Sequence, residues 1–199
     1  MKIFISFLKE NILFLYEYIS RPRSVGAVVP SSVTLAKRIS SCIDFSKENL
    51  VILEYGPGTG PFTSEISRHL KSGDIFILIE QNKKFVTILN QKFKNNPCIK
   101  IYHDDVENVK SILQSELCKS VDYVVSGIPF SSLPKSAANR ILSITADLMS
   151  ESSLFIAFQY STFKLITFKR YFTVIKKKFV LRNIPSAYII LMRSKSNCN

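Results

Sequence analysis

The chain has 199 residues and a formal net charge of +12, and 46% of its residues are hydrophobic. This length and this hydrophobic content suit one folded domain with a short appendage, and they exclude an intrinsically disordered chain. Four cysteines without a Cys-x-x-Cys pair and only two histidines leave almost nothing from which to build a zinc site, so we predict no metal.

The excess positive charge is concentrated toward the end of the chain. Residues 134–199 hold eleven Lys/Arg and two Asp/Glu, whereas residues 51–133 hold nine of each. Such a basic flank indicates an anionic partner, such as a membrane surface, a lipid phosphate or a nucleic acid. A solvated basic face without a partner is the alternative.

Residues 3–19 are predicted to form a helix, because apolar side chains recur there at spacings of three and four. Its longest uncharged run is too short to span a bilayer, and no signal-peptide cleavage pattern follows it. The helix either packs on the core or lies at a membrane interface.

An ordered loop is predicted for residues 20–32, which contain two prolines and a glycine. Arg21 and Arg23 flank the first proline and could clamp a phosphate, with a solvated turn as the alternative. Ser31 or Ser32 is predicted to cap a second helix that ends near residue 42.

Residues 51–60 are the segment around which the rest of the chain is organised. A short buried strand is closed by Glu54, and a turn with glycines in alternate positions leads into a helix predicted over 61–70. Glycine lets the backbone take positive φ and approach a ligand closely. The three glycines are Gly56, Gly58 and Gly60. A strand, a glycine turn and a helix in this order bind a nucleotide-like cofactor at the carboxyl edge of a sheet.

The remaining chain alternates strands with helices. Predicted strands cover 75–79, 98–102, 121–125, 153–160, 172–181 and 187–192, and predicted helices cover 83–94, 135–149 and 163–171. This alternation predicts an α/β fold: a Rossmann-like, seven-stranded, mostly parallel sheet with an antiparallel last strand and extra N-terminal helices.

Acidic residues follow two of these strands. Glu80 lies twenty residues beyond Gly60, the distance at which this architecture places a carboxylate on a ribose diol. A solubilising strand terminus is the alternative for Glu80. Asp104 and Asp105 follow the third strand.

This series resembles the class I S-adenosylmethionine-dependent methyltransferases. They have Gly-x-Gly-x-Gly with a glutamate two residues before it, whereas nicotinamide-binding proteins have Gly-x-Gly-x-x-Gly. The resemblance implies S-adenosylmethionine as cofactor, with the strand-end acids at its methionine amino group, ribose and adenine. The residues that it assigns to the cofactor are Glu54, Gly56, Gly58, Gly60, Glu80, Asp104, Asp105 and Ser126.

Four segments, 20–32, 54–63, 125–129 and 182–187, also resemble the bacterial phospholipid N-methyltransferases of the soluble, membrane-associated type. This resemblance implies methylation of phosphatidylethanolamine toward phosphatidylcholine, in the cytoplasm and peripherally at the inner face of the membrane. It also implies that the N-terminal helix binds an anionic membrane.

On this hypothesis, residues 1–48 form a membrane or substrate cap and residues 49–199 form the methyltransferase domain. A cationic ethanolamine head group must lose a proton before it attacks, so the catalytic candidates are acceptors near the cofactor. They are Tyr18, Tyr160 and Ser126, together with the backbone carbonyls around Ser126. Candidates for the head-group phosphate are Arg21, Arg23 and Arg182.

The same elements resemble the ribosomal RNA adenine dimethyltransferases, which carry Asn-(Leu/Ile)-Pro-(Tyr/Phe) after the fourth strand. In that family the asparagine and the proline carbonyl hold the exocyclic amine. This chain has Ser126-Gly127-Ile128-Pro129-Phe130, so the side-chain amide is missing. RNA methylation is therefore the alternative function, and a non-enzymatic membrane or RNA adaptor is disfavoured by the intact series of acids and glycines.

Overall fold

One seven-stranded sheet forms the centre of a computed structural model, which describes residues 30–130, 133–159, 165–180 and 187–195. The strands are β1 (Val51–Tyr55), β2 (Ile75–Glu80), β3 (Ile99–His103), β4 (Val121–Ser126), β5 (Met149–Gln159), β6 (Phe172–Val180) and β7 (Ala187–Ser194). Their order across the sheet is β3-β2-β1-β4-β5-β7-β6. Among these described strands, β7 is the one that runs antiparallel to its neighbours. The predicted Rossmann-like fold with an antiparallel last strand is confirmed.

Six α-helices are described around this sheet. They are α1 (Pro30–Ser40), α2 (Pro61–Ile66), α3 (Lys83–Phe93), α4 (Val109–Ser115), α5 (Lys135–Leu148) and α6 (Leu165–Tyr171). A 3₁₀ turn, Val106–Asn108, precedes α4. The start of α3 is fixed by Asn82, whose side chain accepts a hydrogen bond from the Lys84 N–H at 2.9 Å.

The two faces of the sheet are covered by different helices, because successive strand side chains point to opposite faces. One apolar cluster joins strand residues such as Leu53 and Val124 to α4, α5 and α6. The other joins Ile52 and Val125 to α1, α2 and α3. Both faces are buried, which explains why the parallel strands are near-continuous apolar runs. The described part of the predicted N-terminal cap, α1, is thus built into the core, and a domain boundary at residue 48 stays a prediction.

The carboxyl ends of the parallel strands meet at one edge of the sheet, which we call the site edge. Tyr55 of β1 pairs with Ile79 of β2 and with Ser126 of β4. The chain leaves β1 for one face through α2 and leaves β4 for the other face through α5. This change of direction opens a crevice between β1 and β4, where open α/β sheets bind their ligands.

Several predicted boundaries are wrong. Since α1 begins at Pro30, Ser31 and Ser32 lie inside the helix and not at its N-terminal boundary. Glu54 lies within β1, which continues to Tyr55 because that residue still pairs with both neighbouring strands. After Ile66, α2 gives way to tighter turns, so it is shorter than predicted.

Two further differences concern the second half of the chain. The sequence analysis missed the 3₁₀ turn and α4, whose buried residues are Val106, Val109, Ile112 and Leu113. It also began β5 four residues late, because β5 follows α5 directly and pairs with β4 from Met149 onward. The predicted helix over 3–19 lies outside the described residues.

Candidate active site

The glycine turn after β1 is built as predicted. Gly56, Gly58 and Gly60 have φ values of 63°, 59° and 76°, in the left-handed region that favours glycine. At Gly60 a Cβ would also lie 2.9 Å from Cδ2 of Leu89 and 3.1 Å from Cε2 of Phe93. The turn therefore packs directly against α3.

Lys92 of the same helix, α3, forms hydrogen bonds with the glycine turn. The Nζ of Lys92 lies 3.3 Å from the carbonyl oxygens of Thr59 and Gly60. Burial lowers the pKa of Lys92, and the nearby carboxyl of Glu54 opposes this shift. Lys92 thus places a positive charge beside the turn and close to the first acid of the site.

Glu54 is fully buried beneath the glycine turn. Its Oε2 accepts a 2.7 Å hydrogen bond from Oγ1 of Thr63, in the first turn of α2, whereas its Oε1 has no partner among the described residues. Burial raises the pKa of Glu54 to about 8, with the Thr63 hydroxyl opposing and the charge of Glu80 adding to the shift. A buried acceptor left open in this way is costly unless a ligand pairs with it.

Glu80 ends β2 and joins it to the glycine turn. Its Oε2 accepts a hydrogen bond from the Gly58 N–H at 3.0 Å, and its Oε1 accepts one from the Asn82 N–H at 2.8 Å. The side chain is largely buried, so this carboxylate lies at the lip of the crevice beside the turn. A buried carboxylate is not a solubilising terminus, and contact of Glu80 with the ribose of the cofactor stays a prediction.

The two aspartates after β3 have different surroundings. Oδ1 of Asp104 accepts hydrogen bonds of 2.7 Å from the Asp105 N–H and from Nδ2 of Asn108. Asp105 caps the 3₁₀ turn by accepting from the Glu107 N–H at 2.8 Å, and its other oxygen accepts from Nε2 of Gln81. Asp105 is therefore committed to local contacts through both oxygens, and contact of either aspartate with the cofactor stays a prediction.

The loop after β4 packs against the glycine turn at Gly127. A Cβ at this position would lie 2.9 Å from the carbonyl oxygen of Gly56, a backbone atom that cannot move aside alone. The Gly127 N–H also donates to the carbonyl of Tyr55 at 3.0 Å. Glycine is thus required here for close approach of the two loops, although its own φ is not in the left-handed region.

Ser126 and Ile128 hold this loop in shape. The buried Oγ of Ser126 accepts from the Ile128 N–H at 3.2 Å. The Ile128 carbonyl in turn accepts from Nε2 of Gln159, at the end of β5, at 2.9 Å and from the Phe130 N–H at 3.0 Å. With both lone pairs engaged, the Ile128 carbonyl is not available to accept a proton from a substrate.

Five of the residues predicted for the site lie outside the described part of the chain: Tyr18, Tyr160, Arg21, Arg23 and Arg182. Their predicted roles stay predictions. Conversely, the sequence analysis missed Thr63, Lys92 and Gln159. Thr63 could be predicted from the sequence, since a hydroxyl three residues after Gly60 faces back toward the strand end. Lys92 and Gln159 reach the site through tertiary contacts, which no local pattern indicates.

The described residues fit S-adenosylmethionine. The open oxygen of Glu54 suits the cationic amino group of the methionine moiety, and Glu80 offers a carboxylate to the ribose hydroxyls. The glycine turn leaves room for the ligand to approach the backbone. When bound, S-adenosylmethionine supplies a methyl group on a cationic sulfur. No three His, Cys, Asp or Glu side chains in the described ranges come together as a metal site.

Replacement of Glu80 by glutamine is expected to weaken S-adenosylmethionine binding about tenfold or more. One carboxylate oxygen becomes an amide nitrogen that faces a backbone N–H, so a charged hydrogen bond is lost. Titration calorimetry measures the affinity. Glu48→Gln is the matched control, because Glu48 is an exposed carboxylate outside the site; equal affinities of the two variants would contradict the ribose assignment.

Comparison with known proteins gives the family of this chain. The family model for ribosomal RNA adenine dimethylase matches residues 31–187. Among curated proteins, the ornithine lipid N-methyltransferase of Singulisphaera acidiphila is 26% identical over 185 residues, covering 90% of this chain and 94% of that protein.

Solved structures share the fold at low sequence identity. The N-methyltransferase NodS from Bradyrhizobium japonicum WM9, in complex with S-adenosyl-L-homocysteine, has a TM-score of 0.65 and 14% identity, covering 89% of this chain and 98% of that chain. TrmN from Thermus thermophilus has a TM-score of 0.65 and 12% identity over 84% of this chain, which spans about half (51%) of TrmN. Together with the match over residues 31–187, these likenesses lead to one conclusion: the chain belongs to the ribosomal RNA adenine dimethylase family of S-adenosylmethionine-dependent methyltransferases.

Proposed function

We propose that this protein methylates the amine of a membrane lipid head group, with phosphatidylethanolamine as the first candidate substrate. The observation that carries the proposal is Gly127. Where the adenine dimethyltransferases carry an asparagine, this chain has a glycine, and a Cβ at that position would lie 2.9 Å from the carbonyl oxygen of Gly56. An asparagine amide cannot enter without moving the glycine turn.

This difference matters for the choice between an adenine and an alkyl amine. The lone pair of an exocyclic adenine amine is delocalised into the ring, so an adjacent acceptor is needed to localise it for attack. The lone pair of a lipid alkyl amine is already localised once the ammonium has lost its proton. An acceptor pocket without a side-chain amide therefore suits the alkyl amine better.

Removal of that proton is assigned to groups at the site edge. Ser126 keeps its own hydroxyl hydrogen while its oxygen accepts from the Ile128 N–H, so it relays a proton by passing that hydrogen on to solvent, the final acceptor on this proposal. The Ile128 carbonyl is excluded by its two donors. Tyr18 and Tyr160 are proposed as further acceptors, and an aromatic face would also hold a methylated ammonium by cation–π attraction.

A second lipid substrate is favoured by the relative from Singulisphaera acidiphila, whose name specifies ornithine lipid. Ornithine lipid also presents an alkyl amine, but it has no phosphate. We propose that Arg21, Arg23 and Arg182 contact the phosphate of phosphatidylethanolamine. On this proposal Arg182→Ala lowers the methylation of phosphatidylethanolamine and spares that of ornithine lipid.

The test is a methyl-transfer assay with radiolabelled S-adenosylmethionine and vesicles that contain phosphatidylethanolamine and ornithine lipid together. Separation of the products by thin-layer chromatography identifies the labelled lipid. Ribosomal RNA is added in a parallel reaction. Label in phosphatidylethanolamine is the expected result. Label in ornithine lipid alone would replace phosphatidylethanolamine by ornithine lipid as the proposed substrate. Label in RNA without any lipid product would overturn the proposal.

The proposed place of action is the inner face of the cytoplasmic membrane, with the protein bound peripherally. Within the described ranges, none of the helices has the length and apolar character needed to cross a bilayer. On this proposal the substrate is reached from the membrane surface.

A further inference from the structure

The edge strand β6 has an unusual surface. It carries Lys176 and Lys177 on exposed positions, and large apolar side chains beside them, Ile175 and Phe179, are 49% and 44% exposed. On the preceding helix α6, Ile166 is 82% exposed. We call the set Ile166, Ile175, Lys176, Lys177, Phe179 and Tyr188 the β6 surface.

Lys177, Phe179 and Tyr188 lie on one face of the sheet, whereas Lys176 follows a register shift in β6 and pairs with Leu191 of the other face. Phe179 pairs with Tyr188 of β7, and their rings are 4.8 Å apart. Lys177, two residues earlier and hence on the same face, holds its Nζ 4.3 Å from the Tyr188 ring centroid. Tyr188 packs against the apolar cluster that also contains Phe168 of α6. Helix α6 therefore packs on the same face of the sheet as the aromatic pair.

The part of the chain that forms α6, β6 and β7 carries positive side chains and no acidic ones. After Glu151 the chain contains nine Lys/Arg and no Asp or Glu. Seven of the nine lie in described residues: Lys169, Arg170, Lys176, Lys177, Lys178, Arg193 and Lys195. A field of one sign over a surface attracts an anionic partner and is strong enough to orient it.

Protection of an edge strand explains only part of this pattern. Lysines and a β-bulge, which β6 has between Val174 and Lys176, are common devices against edge-to-edge pairing. Ile175 and Phe179 on the same strand do not protect the edge, because exposed apolar side chains favour association with other chains. Basic side chains interleaved with exposed aliphatic and aromatic ones are instead typical of a surface that enters a lipid interface.

We infer that the β6 surface docks onto an anionic bilayer, with its lysines at the lipid phosphates and its apolar side chains among the acyl chains. RNA offers the same charge, but an isoleucine that is 82% exposed gains nothing from a phosphate backbone or a base edge. The aliphatic members of the surface thus favour lipid. The inference rests on the proposed function only in that a lipid substrate is met at a bilayer.

Docking in this way would bring the active site to the membrane. Tyr188 pairs with Gln159 at the carboxyl end of β5, and Ala157 of β5 pairs with Ser126. Phe179, opposite Tyr188, therefore lies at the site edge, a few strands from the loop that contains Gly127. An acceptor amine at the bilayer surface would be presented to the same edge that holds the cofactor residues.

The test measures the binding of the full chain to vesicles of equal parts phosphatidylglycerol and phosphatidylcholine by flotation at 0.1 M salt. Lys176→Gln/Lys177→Gln is expected to weaken partitioning about tenfold or more, since each basic residue near an anionic surface contributes about a factor of five. The matched control is Lys94→Gln/Lys100→Gln, which removes two exposed lysines at and near the opposite edge strand, β3. We expect less than a threefold change for the control.

A second pair of variants tests the apolar part. Ile166→Ser/Phe179→Ser is expected to weaken vesicle binding at least fivefold, whereas Leu117→Ser leaves it unchanged, because Leu117 is 88% exposed but lies before β4 at the opposite end of the sheet. Calorimetry with S-adenosylmethionine shows whether each variant retains a folded cofactor site.

Three outcomes would overturn the inference: equal losses in both lysine pairs, no loss in either, or a loss of binding to single-stranded RNA with vesicle binding intact. Failure of the proposed function is a different result. A protein that binds vesicles through the β6 surface and methylates no lipid contradicts the proposed reaction and supports the docking surface.

Discussion

Replacement of Glu54 by glutamine is expected to stabilise the cofactor-free protein and to weaken its binding of S-adenosylmethionine. Burial raises the pKa of Glu54 to about 8 in the folded protein, whereas in the unfolded chain this carboxyl loses its proton near its ordinary pKa of 4.5. Between these values the free energy of unfolding falls as pH rises, by about 1.4 kcal/mol per pH unit from this group. Glutamine carries no such penalty.

The gain in stability therefore grows from about pH 5 to about pH 8 and then levels off. At pH 8 the variant is expected to melt roughly 8–16 °C above the parent protein. Thermal unfolding at several pH values measures this directly. Glu48→Gln, which removes an exposed carboxylate, is the control and should leave the melting temperature unchanged at every pH.

The weaker binding of S-adenosylmethionine arises because the cofactor needs the ionised form of Glu54, the form that destabilises the cofactor-free protein. A cationic amino group needs the ionised carboxylate, and a neutral amide leaves that charge buried without its partner, so a loss of about 30-fold or more is expected. In the parent protein, binding below pH 8 should release a proton from Glu54. Calorimetry in buffers of different ionisation enthalpy detects that proton; an affinity that does not change between pH 6 and pH 9 would contradict the assignment.

Gly127→Ala is expected to reduce methyl transfer about 100-fold and to destabilise the fold by about 1–3 kcal/mol. The added methyl group meets the Gly56 carbonyl at 2.9 Å and pushes the loop after β4 away from the glycine turn. Both the cofactor turn and the acceptor pocket are displaced together, and small displacements at a reacting centre have large effects on rate. Methyl transfer to vesicles and thermal unfolding provide the two measurements.

A Gly73→Ala variant separates the effect on methyl transfer from the effect on stability. Its Cβ would lie 2.5 Å from Oδ1 of Asn49 and its φ is 96°, so the substitution is also strained, but Gly73 precedes β2 at the end of the sheet opposite the site. This control should lose stability and, once folded, keep its rate and its cofactor affinity. Equal rates for the two alanine variants would mean that close packing at Gly127 has no role in the reaction.

The parts of the site that could be predicted from sequence are those encoded by short spacing. Three glycines at alternate positions and Glu80 at a strand end need only local geometry, and the structure brings them together. The missed helix α4 was also encoded locally, since Asp105 caps the turn before it and Val109, Ile112 and Leu113 follow at helical spacing. That signal was overlooked rather than absent.

Other features depend on contacts between distant residues, and no local pattern specifies them. Gln159 reaches the carbonyl of Ile128 across 31 positions of sequence, and Lys92 reaches Gly60 across 32. The raised pKa of Glu54 depends on how completely the sheet and α2 cover it. Such properties follow from the assembled core, so they become visible only in three dimensions.

The position of β7 has a consequence for how the chain folds. Although β7 follows β6 in sequence, it lies between β5 and β6 and pairs with both. During synthesis β6 therefore has no partner until β7 has emerged, and the open side of β5 stays exposed to other chains. A truncation before Ala187 would release β6 from the sheet altogether, so short-lived nascent forms of this protein are where aggregation should begin.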